Sequence, residues 1–353
     1  MRKGRGALGN LPHRFESVTR EVDGDALDAL LADGEALPPL PTEVRHERVK
    51  SLLACNDSPD IYFDRSINPY RGCEHGCVYC YARPTHSYLN LSPALDFETK
   101  LVVKVNAAEV LKHELAAPGY RAAVVNLGSA TDAYQPIERE LRITRAVLEV
   151  LAGTRHPVAI VTKSGLIERD LDLLGPMAQQ RLTAAFISVT TLDHDLSRTL
   201  EPRAASPTRR LRTIERLAQA GLPVCVNVAP VIPFVNEPEL ERLLEAAAAA
   251  GARAAFYTVL RLPWEVAPLF RQWLQAHFPQ RAERVMNRVR DMRGGRDYRA
   301  DFATRMKGSG LWAELIRQRF DKACARLGLG KGRFELRDDL FAPPRLGPQL
   351  DLF

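Results

Sequence analysis

Three of the six cysteines in this chain of 353 residues stand close together, as Cys73, Cys77 and Cys80 in a C-x3-C-x2-C arrangement. Thiolates at such a spacing can hold an iron–sulfur cluster, although these clusters usually take four protein ligands. No strong fourth candidate lies beside the three, so one iron would be open to a ligand from outside the protein. A zinc site completed by His75 is the alternative, and it is awkward because zinc prefers paired ligand spacings and His75 lies inside the same short loop.

The residues around the cysteines carry a family resemblance. Arg71-Gly72 precedes them, and Tyr79 and Tyr81 flank the last one, a pattern that resembles the radical S-adenosylmethionine (SAM) superfamily. In that family three cysteines bind a 4Fe-4S cluster, and SAM chelates the open iron through its amino and carboxylate groups. Together with the spacing, the resemblance favours a cluster over zinc or structural thiols. It also implies that Tyr79 packs on or near the SAM adenine.

Composition favours a cytoplasmic protein without a membrane partner. Hydrophobic residues make up 46% of the chain, the net charge is +6, and no apolar run is long enough to span a bilayer. The first residues, Met1-Arg2-Lys3-Gly4-Arg5, do not form an apolar signal segment. Six cysteines in a chain of this length do not indicate a disulfide framework.

Short β-branched runs alternate with longer helical patterns, which predicts parallel strands joined by helical crossovers. Strands are expected at 101–105, 122–127, 158–162, 184–190, 224–228 and 254–259. Helices are expected at 107–116, 136–151, 206–220 and 238–250. The pattern fits an open doubly wound sheet and a barrel equally well. The resemblance implies the α/β architecture of radical SAM enzymes, a partial (β/α)6 TIM-like barrel with an N-terminal extension and a helical C-terminal region.

Four parts are predicted along the chain: an N-terminal extension (1–58), the radical SAM core (59–296), a helical C-terminal region (297–340) and a linker with a tail motif (341–353). A short helix is expected at 25–32 in the extension. A longer amphipathic helix is expected at 311–327, with Leu311, Leu315 and Ile316 on one face and Cys324 buried.

Residues that directly follow the strands are the candidates for a pocket, because chemistry in such folds collects at the C-terminal strand ends. After the second strand, Asp132 can pair with the SAM ammonium through a charge-assisted hydrogen bond, or Thr131 or Asp132 can cap the next helix. The run Thr-Asp-x-Tyr-Gln-Pro-Ile-Glu at 131–138 is similar to the spore photoproduct lyase-related branch of the superfamily.

Similarity to this branch extends over roughly residues 60–265 and implies further roles. Lys163 would neutralise the SAM carboxylate, and Ser188 matches the position that meets the SAM ribose. From its position in the fifth strand, and not from the similarity, Asn227 would face the pocket. Arg261, which follows the last strand, would likewise bind an anionic group of the substrate. Glu201 and Arg203 would either pair with each other or line the pocket. The expected cofactor-binding residues are thus Tyr79, Ser129, Thr131, Asp132, Lys163, Ser188, Glu201, Arg203 and Asn227.

One position departs from the lyase pattern. The lyase uses a cysteine in the loop after the second strand as a hydrogen donor to the product radical, and the best match here is Ser129. A serine O–H bond is too strong for easy hydrogen-atom donation, so the lyase reaction itself does not follow from the resemblance. Cys225 would take the role if its side chain points inward, although a strand cysteine is more often simply packed.

Two segments suggest partners. Arginines are concentrated between Arg281 and Lys307, with aromatic residues interleaved, which suits nucleic-acid phosphates or, alternatively, a solvated helix face with local counter-charges. The residues from Gln349 to Phe353 resemble the pentapeptide with which bacterial DNA polymerases and repair proteins dock on the DNA polymerase β sliding clamp. A frayed terminus, or a tail docked on its own core, is the alternative.

The sequence therefore predicts a radical SAM enzyme. A reductase or flavodoxin-type donor would reduce the 4Fe-4S cluster, SAM would be cleaved, and a 5′-deoxyadenosyl radical would abstract hydrogen from a substrate, with DNA repair or modification as the expected role. A different class of protein is the alternative, namely a non-catalytic iron–sulfur module that docks on the clamp and DNA as a redox sensor or scaffold. The expected SAM pocket favours catalysis, because a scaffold needs none.

Overall fold

The structure is a computed structural model, and it describes residues 4–16, 40–331 and 334–346. The predicted helix at 25–32 and the tail from Gln349 to Phe353 lie outside these ranges. The strands in the described ranges are β1 (Glu43–Glu47), β2 (Leu53–Cys55), β3 (Arg65–Ile67), β4 (Tyr70–Arg71), β5 (Lys100–Lys104), β6 (Val125–Leu127), β7 (Val158–Thr162), β8 (Thr183–Ser188), β9 (Val224–Val231), β10 (Ala254–Val259) and β11 (Gly330–Lys331).

Most of these strands form one sheet, which has the order β11-β10-β9-β8-β7-β6-β3-β2 in the described part of the chain. The neighbours from β3 through β6 to β10 pair in parallel, β11 continues in parallel at one edge, and β2 is antiparallel to β3 at the other. Five of the six expected strands lie in this sheet, and its parallel strands with helical crossovers confirm the expected α/β architecture. The carboxyl ends of these strands lie along one edge, where a site is expected.

One predicted strand exists but belongs to a different sheet from the one expected. The run at 101–105 was expected to start the core sheet, but β5 belongs to a separate sheet of order β1-β5-β4. The first parallel strand of the core is instead β3, which is three residues long and begins with Arg65-Ser66. A β-branched run indicates a buried strand but not which sheet contains it, and β3 is too short and too polar to give that signal.

The helices lie mostly where they were expected. They are α1 (Leu95–Thr99), α2 (Ala107–Leu115), α3 (Glu138–Leu141), α4 (Ile143–Gly153), α5 (Leu171–Gln179), α6 (His194–Leu200), α7 (Pro207–Gln219), α8 (Leu240–Ala249), α9 (Val266–His277), α10 (Ala282–Asp291) and α11 (Gly310–Leu327), with 3-10 turns at Arg83–Leu89, Gly165–Asp170 and Glu237–Glu239. Of the last three helices, α11 lies in the predicted helical C-terminal region of 297–340, whereas α9 and α10 precede it.

The helix predicted at 136–151 is divided at Arg142, which has φ 52°. The Glu138 carboxylate accepts hydrogen bonds from the backbone N–H groups of Thr144 (2.9 Å) and Arg145 (3.3 Å). These donors at the start of α4 have no intrahelical partner. A side chain in α3 therefore caps α4, and the break makes room for this contact.

The two faces of the main sheet differ. One face packs on the crossover helices and forms the largest apolar cluster of the protein. The other carries small side chains near the strand starts, including Ala159, Ala184 and Cys225, against which Phe334 and Leu336 pack. Above this layer the inner face opens towards the carboxyl ends of the strands.

The packing of α11 differs from the expectation in part. Ile316 and Cys324 are buried, as predicted, but Leu311 is 78% exposed and Leu315 is 41% exposed. The three apolar residues therefore do not share one buried face. No helix in the described ranges is long and apolar enough to cross a membrane.

Candidate active site

A cavity of about 490 Å³ lies at the carboxyl ends of the parallel strands. The three motif cysteines line it, together with residues from the ends of several strands, as expected for this architecture. The sequence-predicted residues that line it are Cys73, Cys77, Tyr79, Cys80, Ser129, Thr131, Asp132, Lys163, Ser188, Asn227 and Arg261. Glu201, Arg203 and Cys225 are not among the lining residues.

The three cysteines line this cavity together. Each is a free thiol, with Cys73 and Cys77 buried and Cys80 partly exposed. In the described ranges no group of three His, Cys, Asp or Glu side chains is arranged to hold a single metal ion. Burial raises the pKa of Cys77 to about 12 and also raises that of Cys73. Thiolate ligation must displace these protons, and the donor set suits an iron–sulfur cluster.

Arg83 holds the backbone of the cysteine loop. Its side chain is fully buried, and it donates to the carbonyl oxygens of Cys77 (2.8 Å) and Gly76 (3.0 Å). The same guanidinium forms a buried ion pair with Glu98. Burying a guanidinium is unfavourable unless it is paired and hydrogen-bonded, and here both conditions are met. Arg83 therefore fixes the backbone at the second cysteine of the motif.

Glu98 joins the N-terminal segment to this loop. Its carboxylate accepts hydrogen bonds from the backbone N–H groups of Gly6 (2.9 Å) and Ala7 (3.0 Å). A β-carbon on Gly6 would lie 2.0 Å from the carbonyl oxygen of Gly76, so only glycine permits this approach. Arg5 adds a bond to the Glu98 carbonyl at 2.7 Å. The described start of the predicted extension is thus part of the wall behind the cysteines.

Asp132 lines the cavity, but protein groups occupy its carboxylate. Oδ1 accepts from the Tyr134 N–H (2.9 Å) and the Thr162 hydroxyl (2.7 Å). Oδ2 accepts from the Lys163 N–H (2.8 Å) and lies 3.2 Å from His75 Nδ1. Burial alone would raise the pKa of Asp132, but His75 and these donors hold it well below its ordinary value. A carboxylate has about four acceptor positions, so the structure does not support the direct contact expected with the SAM ammonium.

Glu201 supports Tyr79 from behind the cavity. Its Oε1 accepts from the Tyr79 hydroxyl and from Thr190 Oγ1 (2.6 Å), and its Oε2 pairs with the buried Arg210. Burial alone would raise the pKa of Glu201, but the charges of Arg210 and Lys163 lower it to about 2. The pairing of Glu201 with Arg203, one of the two expected arrangements, is not what the structure shows, and Glu201 does not line the cavity.

Arg203 supports a second point of the same loop. The Arg203 guanidinium lies 3.1 Å from Glu74 Oε1. The backbone N–H of Arg203 donates to the His75 carbonyl at 3.3 Å. The Glu74 N–H in turn donates to Gln135 Oε1 (2.8 Å). The Thr131 hydroxyl, which lines the cavity, donates to the Gly72 carbonyl (2.6 Å). The two motifs expected to bind the cofactor therefore hold the cysteine loop in place.

Lys163 provides a positive charge on the cavity wall. Its Nζ lies 5.9 Å from the centre of the Tyr79 ring. Burial would lower the pKa of Lys163, but the negative charges of Cys77 and Glu201 raise it. Among the other lining residues, Ser129 hydrogen-bonds Asn68 (3.1 Å), and its carbonyl accepts from the Tyr81 hydroxyl. The cofactor contacts of Lys163, Ser129, Ser188 and Asn227 remain predictions.

Cys225 lies one layer below the cavity. Its side chain faces the inner side of the sheet, where it is fully buried with Ala159, Ala184 and Phe186. Its Sγ is 3.8 Å from the side-chain oxygen of Asn227, which does line the cavity. The inward direction agrees with the expectation, but Asn227 stands between the thiol and the open space. A role for Cys225 as hydrogen donor remains a prediction.

The sequence model of the Radical SAM superfamily matches residues 67–247, slightly more than half of the chain. The chain belongs to the radical SAM superfamily. Enzymes of this family use a 4Fe-4S cluster and SAM. The three thiols that line the cavity fit that cluster. The chain is also similar to the uncharacterized protein Rv2578c of Mycobacterium tuberculosis, with 39% identity over 224 residues. That alignment covers 63% of this chain and 66% of the relative, slightly less than two thirds of its length.

More distant proteins share parts of the sequence or the fold. The uncharacterized protein MJ0683 of Methanocaldococcus jannaschii is 25% identical over 223 residues, which cover 63% of this chain and 80% of that protein. A solved structure of a spore photoproduct lyase variant with bound AdoMet and dinucleoside spore photoproduct superimposes with a TM-score of 0.53. The match covers 88% of this chain and 94% of the lyase at 14% sequence identity, and it shows a common fold.

The arginine-rich segment is largely used within the protein. Arg293 is buried and donates to the carbonyls of Leu260 (2.7 Å) and Arg305 (2.8 Å). Burial, and then the nearby charge of Arg261, lower the pKa of Arg293 to about 10. Arg290 pairs with Asp297 and Glu283. Most of these side chains therefore have partners within the protein, and exposed ones such as Arg296 remain for an external partner.

Sequence reasoning missed several residues that build the site. The principal ones are Glu74, Arg83, Glu98, Gln135 and Arg210, and all are buried. Glu74 and Arg83 stand within or just beyond the cysteine motif, and Gln135 lies within the lyase-like run. A charged residue beside a cofactor motif was thus an available signal. Nothing local marks Glu98, because its partners come from residues 5 to 7 and from Arg83.

Proposed function

We propose that this protein is a radical SAM enzyme that repairs or modifies nucleic acid. The observation that supports this best is the cavity, which the three cysteines line together with aromatic and arginine side chains. Cys73, Cys77 and Cys80 would hold the cluster. The cluster and SAM supply a 5′-deoxyadenosyl radical, which abstracts hydrogen from a substrate in the remaining space.

The residues of the chain bind and orient in this reaction. Lys163 offers a positive charge to the SAM carboxylate beside Tyr79, a charge-assisted contact within a sheltered wall. Ser188 and Asn227 offer a hydroxyl and an amide on adjacent strands, since they pair in the register of β8 and β9. The cysteine loop needs no movement to present its thiols, because Arg83, Glu201 and Arg203 already hold it.

Nucleic acid is supported as the substrate class by three observations. Tyr62, Tyr81 and Phe256 line the cavity, and aromatic faces stack well on bases. Exposed arginines such as Arg296 lie in the segment between Arg281 and Lys307. The lyase structure of similar fold holds a dinucleoside spore photoproduct. The tail from Gln349 to Phe353 adds a proposed link to the DNA polymerase β sliding clamp on its sequence alone.

The test of catalysis is SAM cleavage. The reconstituted protein would be reduced with dithionite or flavodoxin under anaerobic conditions, and 5′-deoxyadenosine would be measured with and without single-stranded oligonucleotides. We expect 5′-deoxyadenosine from the wild type and none from Cys77→Ala. A protein that binds a cluster but releases no 5′-deoxyadenosine under any condition would instead be the non-catalytic module.

The partner proposals need separate tests. Exchanging the exposed Arg296 and Arg281 for glutamine should weaken oligonucleotide binding and reduce its dependence on salt. Arg299, which pairs with Asp301, provides the matched control. Deleting residues 349–353 should abolish recovery of the clamp in a pulldown and leave SAM cleavage intact. Equal recovery with and without these residues would argue against clamp binding.

A further inference from the structure

We propose that Arg261 forms an anion subsite in the wall of the cavity and that this subsite binds a phosphate group of the substrate. The inference rests on the proposed function in one respect, since it takes the cavity as the substrate site. It adds the residue that recognises the substrate and the charge that the substrate carries.

The hydrogen-bonding capacity of Arg261 is poorly used within the protein. Its Nη1 lies 3.4 Å from the sulfur of Met306, a weak acceptor, and its Nη2 lies 3.4 Å from the Tyr298 hydroxyl. The Nε is buried and has no hydrogen-bond partner. No carboxylate in the described ranges lies within ion-pair distance of this guanidinium. A cation left in this state is unfavourable in the free protein, and a bound anion would correct it.

Neighbouring arginines show the contrast. Arg305 also lines the cavity, but Asp60 neutralises it through two hydrogen bonds of 2.6 and 2.5 Å. Arg293 is buried and donates to four backbone carbonyls, those of Val259, Leu260, Thr304 and Arg305. Arg261 therefore carries a positive charge close to two further arginines, and in the described ranges no acidic side chain forms an ion pair with it.

The position of Arg261 suits recognition of a substrate. Its guanidinium lies over the Tyr81 ring, 5.0 Å from the ring centre, and Tyr81 directly follows the last cysteine of the motif. The Tyr81 hydroxyl donates to the Ser129 carbonyl, which fixes the ring beneath the guanidinium. A phosphate on Arg261 would therefore be held beside the cysteine loop. The planar guanidinium can present two N–H groups to two phosphate oxygens at once.

Asn126 is a second residue of the cavity wall with an unfilled polar group. It lines the cavity from β6 and is 1% exposed, and its side-chain oxygen has no hydrogen-bond partner. Its Nδ2 donates to the Tyr62 hydroxyl at 3.2 Å, which sets the direction of the other side-chain atom. A nucleotide carries both an N–H donor and a phosphate, the two kinds of partner that Asn126 and Arg261 lack.

The test uses the cluster-loaded protein with SAM and two probes, inorganic phosphate and a thymidine tetranucleotide. Affinities would be measured for the wild type, Arg261→Gln, Arg261→Lys and Arg299→Gln, the last exchanging an exposed arginine that pairs with Asp301. We expect Arg261→Gln to weaken phosphate and tetranucleotide binding at least tenfold and Arg299→Gln to weaken either by less than twofold. Arg261→Lys should recover part of the loss, because it keeps the charge but not the planar fork. Thermal melting would show that each variant is folded.

A second pair of probes locates the phosphate. A tetranucleotide with one neutral methylphosphonate in place of its central phosphodiester should bind the wild type more weakly than the natural one. Arg261→Gln should not distinguish them, because the two changes remove the same contact. Unchanged binding of both probes by Arg261→Gln would overturn the subsite and leave the proposed function standing. Arg261-dependent binding of inorganic phosphate, without any tetranucleotide binding, would support the subsite and contradict the nucleic-acid substrate.

Discussion

Glu201 and Tyr79 are joined by a hydrogen bond that links the loop between α6 and α7 to the cysteine motif. The other oxygen of Glu201 pairs with the buried Arg210, which also donates to the Ser188 carbonyl at 3.1 Å. The position of the third cysteine is therefore set by residues that lie more than a hundred positions further along the chain.

Replacing Glu201 by alanine should strongly destabilise the fold. The change leaves the Arg210 guanidinium buried without its counter-charge, which typically costs about 3–5 kcal/mol. Urea denaturation would measure the free energy of unfolding. Glu335→Ala, which removes an exposed carboxylate near Arg181, is the control and should change it by less than about 1 kcal/mol. Equal effects of the two changes would show that the buried pair contributes little.

The contribution of Glu201 should depend on pH. Its pKa is about 2 in the folded protein and 4.5 in the reference state. A lowered pKa stabilises the fold above the unfolded value, and this stabilisation is lost as the pH falls from about 4.5 to about 2. The difference in unfolding free energy between the wild type and Glu201→Ala should therefore shrink across that range. A difference that is constant from pH 7 to pH 2.5 would contradict the assignment.

Alanine at Cys73, Cys77 or Cys80 should remove the cluster. Anaerobically prepared wild type should be brown and hold about four irons per chain, as expected for a cubane cluster. Alanine at Cys55, Cys225 or Cys324 should leave the iron content unchanged, since none of these lines the cavity. Iron and sulfide analysis would check both sets. A colourless wild type with one zinc per chain would refute the cluster.

Asp132→Asn should destabilise the loop that carries Lys163. An amide nitrogen would face either the Lys163 N–H or the Tyr134 N–H, each of which now donates to the carboxylate and cannot accept. One buried group would lose its partner, at a cost of about 1–3 kcal/mol. Denaturation would measure this loss. Full stability together with weakened SAM binding would instead favour the direct contact with SAM that the sequence suggested.

Thiol labelling should distinguish the remaining cysteines. In the folded, cluster-loaded protein, iodoacetamide should modify Cys55, which is exposed. Cys225 and Cys324 should react slowly, because both are buried and burial raises the pKa of Cys324 to about 11 and that of Cys225 further. Mass spectrometry of the labelled protein would locate the label. Rapid labelling of Cys225 would show that solvent reaches it and would strengthen its candidacy as a hydrogen donor.

Local patterns were sufficient for much of the fold. The strands at 158–162 and 254–259 have the predicted bounds, because continuous apolar runs mark strands that are buried on both faces. The helix α7 begins after Ser206, whose side chain caps it by accepting from the Arg209 N–H. It ends just before Gly221, which has a positive φ. The very short β3 and the sheet that contains β5 were not predictable, since their pairing depends on chain segments far away.

The site was predictable in its members more than in its contacts. The rule that sites lie at strand ends predicted correctly that Lys163, Ser188, Asn227 and Arg261 line one cavity with the cysteines. The partners of Glu201 and Arg203 were not predictable, because each pairs with a residue outside its own motif. Sequence proximity suggested that these two would pair with each other, whereas packing separates them.

The contact between Arg5 and Glu98 spans 93 positions of the chain. Closing so long a loop has an entropic cost that is recovered only when the contacts at its ends have formed. The wall behind the cysteines therefore depends on contacts between distant parts of the chain, even though the three cysteines are close in sequence. A protein that loses its first seven residues would keep every iron ligand and lose the donors that hold Glu98. Fusion tags are thus better placed away from this end.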